Sequence, residues 1–111
     1  MNYNITYEAD YARVIPAVLI DARAQYPQLS GATGFAMLPY INSQVALASS
    51  GSVFYKLETD SGNIVGYFTV KTIDGSLGIF ALRPQFSGFS AQISQQITNF
   101  ISSGNWRFDY I

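Results

Sequence analysis

The sequence predicts a single α+β domain, a mixed sheet built around a three-strand antiparallel meander and flanked by three helices. Apolar residues recur at three- and four-residue steps within residues 10–26, 35–48 and 89–101, the spacing of one buried helical face. Residues 52–82 instead hold three runs rich in β-branched and aromatic residues, separated by Asp/Gly/Asn turns of the kind that join antiparallel neighbours. The length of 111 residues allows one core shared by a sheet and a few helices, and a second domain is not expected.

The opening Asn4-Ile-Thr-Tyr-Glu8 alternates as a short strand, and Asp10 is placed to cap the helix that follows. That helix buries Ile15, Val18, Leu19, Ala22 and Tyr26; Pro16 is expected to displace its first turn or kink it, and Pro27 to close it. Ser30 to Gly34 is a loop by composition. A second helix sets Phe35, Leu38, Ile41, Val45 and Ala48 on one side, with Pro39 near its start, and ends at Ser49-Ser50-Gly51. The meander strands are Ser52 to Thr59, Ile64 to Thr72 and Leu77 to Leu82. A third helix stacks Phe89, Ile93, Ile97 and Phe100 and stops at Ser102-Ser103-Gly104. Trp106 to Ile111 alternates again; a helix precedes it, so the expectation is a terminal strand in parallel pairing after a right-handed crossover.

Composition narrows the chemistry. The chain has no cysteine and no histidine, which removes disulfides, thiolate nucleophiles, serine triads and the usual zinc ligands; no metal site is expected. Six basic and seven acidic residues are scattered without runs, giving a net charge of −1 and no electrostatic footprint for nucleic acid or anionic lipid. Mean hydropathy is only +0.15 and no apolar run has the length of a membrane span, so a soluble protein of the cytoplasm, or of a virion if phage-encoded, is the expectation. Charged residues are 12% of the chain and aromatic residues 15%. A domain this small cannot bury eight Phe, eight Tyr and one Trp completely, so part of that aromatic surface is expected to meet other chains.

From Leu77 to Ser90 the sequence reads as a strand passing through a Gly-containing turn into a helix N-terminus, where unpaired N–H groups and the helix dipole favour an anion. The embedded Gln85-x-x-Gly88-x-Ser90 resembles the Arg/Gln-x-x-Gly-x-Gly/Ala signature with which the GNAT family of N-acyltransferases holds the pyrophosphate of acetyl-CoA. The predicted element order also resembles the front portion of that fold, truncated after its fifth strand. The resemblance implies a bulged fourth strand whose backbone pairs with the pantetheine arm, here Phe80-Ala81-Leu82-Arg83. It implies a pyrophosphate turn of Gln85, Phe86, Ser87, Gly88, Phe89 and Ser90, with Gly88 allowing close backbone approach. It also implies that the helix and strand pair completing the acyl-CoA cleft are missing.

Glu58 and Asp109 are the carboxylates in reach of a general-base role and Tyr110 the acid that could replace the family's tyrosine, although alternation on strands places such carboxylates in solvent more often than in a site. The expected function is therefore a non-catalytic interaction or assembly module on a GNAT-like scaffold, for instance a small component of a phage particle. It would need no cofactor and would meet a protein partner or itself through the aromatic surface and the terminal strand. The alternative is a minimal N-acetyltransferase using acetyl-CoA.

Overall fold

The computed structural model describes residues 3–109. The elements are β1 (Asn4–Tyr7), α1 (Tyr11–Ala22), a 3-10 turn (Arg23–Gln25), α2 (Gly34–Ser49), β2 (Ser52–Glu58), β3 (Ile64–Lys71), β4 (Leu77–Leu82), a longer 3-10 segment (Pro84–Phe89), α3 (Ser90–Ser103) and a last 3-10 segment (Asn105–Asp109). The strands lie in the order β1-β2-β3-β4, and every neighbouring pair is antiparallel.

The sheet is covered on both faces because its strands alternate apolar with apolar. On β2, Phe54 points to the face where α1 and α2 bring Val14, Ile15, Val18, Leu19, Met37 and Ile41. Its neighbours Val53, Tyr55 and Leu57 point the other way, onto Ile93 and Ile97 of α3 and onto Trp106. Stacked pairs tie β2 to β3 on each side, Phe54 on Tyr67 and Tyr55 on Phe68, both with ring centroids 5.3 Å apart. Two cores result, separated by the thickness of one sheet.

A bulge on β3 makes this two-sided packing possible. Leu57 faces Gly66 and Glu58 faces Ile64, so Val65 is an extra residue that resets the alternation. Ile64 accordingly joins the α1/α2 side while Val65 is buried on the α3 side. The bulge also fixes Gly66, where a Cβ would be driven into the Ala81 carbonyl of the adjacent strand.

The meander agrees with the sequence reading, and several other elements differ from it. The expected terminal strand is absent among the described residues: Asn105–Asp109 is a 3-10 segment, and Tyr110 and Ile111 lie outside the described residues. Gly104 ends α3 in the left-handed region (φ 76°), its N–H on the Ile101 carbonyl at 3.2 Å, and the chain folds back beneath the helix. Trp106 is then buried, its indole N–H donating to the Ile101 carbonyl at 3.0 Å. Burying the largest apolar side chain outweighs the weak alternation from Trp106 to Asp109, so among the described residues the sheet is antiparallel rather than mixed. Asp10 makes no side-chain cap; the carboxylate of Glu8 accepts the Asp10 N–H instead, at 3.1 Å. Both α1 and α2 run continuously through their prolines, Pro16 and Pro39.

The largest departure concerns α2, which buries Met37, Ile41 and Ala48 and turns Phe35 and Leu38 outward. Apolar residues surround this helix, so periodicity alone could not select the buried stripe.

Candidate functional site

With β1 and β4 at the sheet edges, the strand the resemblance assigns to pantetheine, β4, has a bare outer edge. The Arg83 N–H bonds inward to the Val65 carbonyl at 2.9 Å, and antiparallel alternation therefore turns the N–H and C=O of Phe80 and Leu82 outward. β4 also carries a bulge. Phe68 faces Phe80 but Val70 faces Leu77, leaving Gly78 and Ile79 opposite the single residue Thr69, whose hydroxyl accepts the Ile79 N–H at 2.8 Å.

The residues after β4 are held mainly by their own fold. Arg83 sends its guanidinium across to α1, donating to the Ala17 carbonyl at 3.2 and 3.3 Å and to the Ile64 carbonyl at 3.2 Å, with Asp21 at 3.6 Å. Those bonds fasten α1 to the sheet, and the positive charge is directed away from the turn. Within Pro84–Phe89 the Phe86 N–H is taken by the Arg83 carbonyl at 3.0 Å and the Ser90 N–H by the Ser87 carbonyl, so two donors of the turn are already engaged. Ser87 caps inward on the Pro84 carbonyl at 2.8 Å. Gln85, Ser87, Gly88, Phe89 and Ser90 are exposed, and Leu82 and Phe86 are half-buried, Phe86 packing edge-on against Tyr3 at 5.9 Å. Gly88 has ordinary negative φ and open space where a Cβ would stand, so nothing in the fold requires glycine there.

The acid–base residues are not brought together. Glu58 lies at the end of β2, 3.5 Å from the ammonium of Lys56. Asp109 accepts the hydroxyl of Tyr55 from beneath the opposite face. Burial, with the Asp109 carboxylate beside it, pushes the Tyr55 phenol well above its usual range, so this pair acts as a structural tie between β2 and the last 3-10 segment. Tyr110 lies outside the described residues. Among the described residues no cluster of acids could hold a metal ion.

The densest charge cluster is elsewhere. Glu8 accepts from Lys56 at 2.8 Å and from Arg13 at 2.9 Å, joining the end of β1 to β2 and α1. Those hydrogen bonds, Lys56 first and the Asp10 N–H next, lower its pKa from the ordinary 4.5 to about 2. A depressed carboxylate contributes stability that is fully present above its unfolded value and lost as pH falls through the folded one. Thermal midpoints should therefore drop between pH 4.5 and pH 2. In Glu8→Gln that acid-linked step should shrink, with a loss of about 1 kcal/mol near neutrality because the cluster is partly solvated.

The surface feature that sequence reasoning placed inside the core is the outer side of α2. No Asp, Glu, Lys or Arg occurs between Arg23 and Lys56, and this helix presents Phe35 at 88% exposure, Leu38 at 47% and Leu47 at 57%. The signal was available as the absence of charge, not as a period. No helix among the described residues is long and apolar enough to cross a membrane. No family model, curated protein or solved structure matches the chain.

Proposed function

We propose that this protein is a non-catalytic interaction module on a GNAT-like scaffold, docking on another protein chain through the outer side of α2. The observation that carries this reading is Phe35, a large aromatic side chain held almost fully in solvent on a helix that bears no charge. Isolated exposed apolar residues are ordinary, but Phe35 and Leu38 sit one turn apart on a helix without charge. The separation of Glu58 from Asp109, and the structural use of Asp109, favour binding over catalysis.

Phe35 lies in the first turn of α2, which has no acidic residue. Phe35→Asp should therefore leave stability unchanged or raise it by a few tenths of a kcal/mol, since an anion at a helix N-terminus is favourable. The same change should abolish self-association or partner capture measured by native mass spectrometry and sedimentation. A wild-type chain that stays monomeric at high concentration and copurifies with no stoichiometric partner would overturn the reading.

A second reading is favoured by one group of observations: a bulged β4 with an open edge, followed by a turn whose Gly88 the fold does not require. Here acetyl-CoA lies along Phe80 to Leu82 with its pyrophosphate over Gly88, as the resemblance implies. The engaged N–H groups of Phe86 and Ser90 and the diverted Arg83 side chain favour weak binding at most, which calorimetry with acetyl-CoA would measure in the same preparation.

A further inference from the structure

A groove of about 540 Å³ opens at the far end of the sheet from the Gly88 turn, between the end of α2 and the β3–β4 hairpin. Leu47, Ile73 and Ile79 give it apolar walls, and Thr69, Lys71 and Gly78 line it beside them. Its volume falls within the usual range of small-molecule sites.

Two polar groups in it are incompletely used. Thr69 is only 1% exposed, and its hydroxyl oxygen accepts the Ile79 N–H at 2.8 Å. A hydroxyl also has a proton to give, and the bond from the Ile79 N–H does not use it. Gly78 keeps the approach to that hydroxyl clear, since a Cβ at position 78 would collide with the Thr69 oxygen. Lys71 follows Thr69 on the same side of β3, about 7 Å along the strand, within the reach of its flexible stem. The ion pairs among the described residues do not include Lys71. Asp74, the nearest acid in sequence, accepts from the Ser76 N–H at 2.9 Å and the Ser76 hydroxyl at 2.6 Å; the Lys71 charge also acts on it from beyond ion-pair distance, so a bound carboxylate would share that cation with Asp74.

We infer that the groove binds a small monocarboxylate with an apolar body, its carboxylate between the Lys71 ammonium and the Thr69 hydroxyl and its body against Leu47, Ile73 and Ile79. One cation and one buried donor match a single negative charge, and the lack of arginine or a second lysine in the lining disfavours a polyphosphate. Apolar walls require an apolar ligand body: Ile73, 90% exposed in the free protein, loses water contact when one is present. The groove takes Leu47 from α2 but neither Phe35 nor Leu38, so Phe35→Asp removes docking while leaving the groove lining unchanged, and either reading can fail without the other.

The test is a titration of the isotope-labelled chain with hexanoate, followed by amide NMR. Saturable shifts are expected at Gly51, Thr69, Gly78 and Ile79, with hexanol at the same concentrations producing none. Lys71→Met, a change at an exposed position, should weaken hexanoate about tenfold, corresponding to loss of one charge-assisted hydrogen bond. Thr69→Val should weaken it too, and its amide spectrum reports whether β4 keeps its pairing. Three results would overturn the inference: no saturable shift at tens of millimolar hexanoate, equal response to hexanol, or unchanged affinity in Lys71→Met.

Discussion

Gly66→Ala is expected to destabilise the fold by about 3 kcal/mol, the upper part of the range for forcing extra atoms into a packed interior. The added Cβ would be driven into the Ala81 carbonyl and would lie 2.8 Å from Leu82 Cδ2 and 3.0 Å from its Cα. Two of these obstacles are backbone atoms, so relief requires β4 to move away from β3. That movement breaks the Arg83 N–H bond to Val65 and loosens the clasp of the Arg83 guanidinium on α1. Denaturant titration of Gly66→Ala beside Gly88→Ala makes the contrast. Position 88 has open space and ordinary φ, so alanine there should be neutral or stabilising by about 0.5 kcal/mol through the unfolded chain. Equal effects at both positions would mean that the bulge does not hold β4 as described.

The two glycines mark how far the sequence could be read. The hairpins were legible because Asp60-Ser-Gly-Asn63 and Asp74-Gly75 carry turn chemistry locally, and the strands beside them are runs rich in β-branched and aromatic residues. The register was not legible: Val65 is extra only because Leu57 must face Gly66 across a strand nine residues away, and no local pattern states that. The terminal segment failed for a related reason. Trp-Arg-Phe-Asp-Tyr-Ile alternates as a strand does, yet the left-handed Gly104 returns the chain beneath α3, and the buried Trp106 fixes it there. For the candidate turn, the sequence located Gln85 to Ser90 between strand and helix correctly. It could not show that Phe86 and Ser90 would spend their N–H groups on 3-10 bonds, because short 3-10 and α-helical starts share the same residue preferences. The exposed side of α2 was hidden by the opposite problem, an excess of apolar residues with no single period.

The two cores predict that losses on opposite faces of the sheet add. Phe54 is fully buried on the α1/α2 side, 4.9 Å from the ring of Tyr11 and stacked on Tyr67. Phe68 is fully buried on the α3 side, stacked on Tyr55 and 6.0 Å from Phe100. Phe54→Ala and Phe68→Ala should each cost about 4 kcal/mol, from lost transfer free energy and the cavity left behind. A domain of this size holds only about 5–15 kcal/mol in total, so either change should lower the thermal midpoint by roughly 15–25 °C and the pair together should prevent folding. Additivity is therefore best measured with the milder Phe54→Leu and Phe68→Leu. Side chains that share no contact partner couple by less than about 0.5 kcal/mol, and these two project from opposite faces of adjacent strands. A coupling well above that value would show that the sheet deforms as a unit when one face is hollowed. In that case the α2 surface and the β4 edge could not be treated as separate, since a ligand on either face would alter packing behind the other.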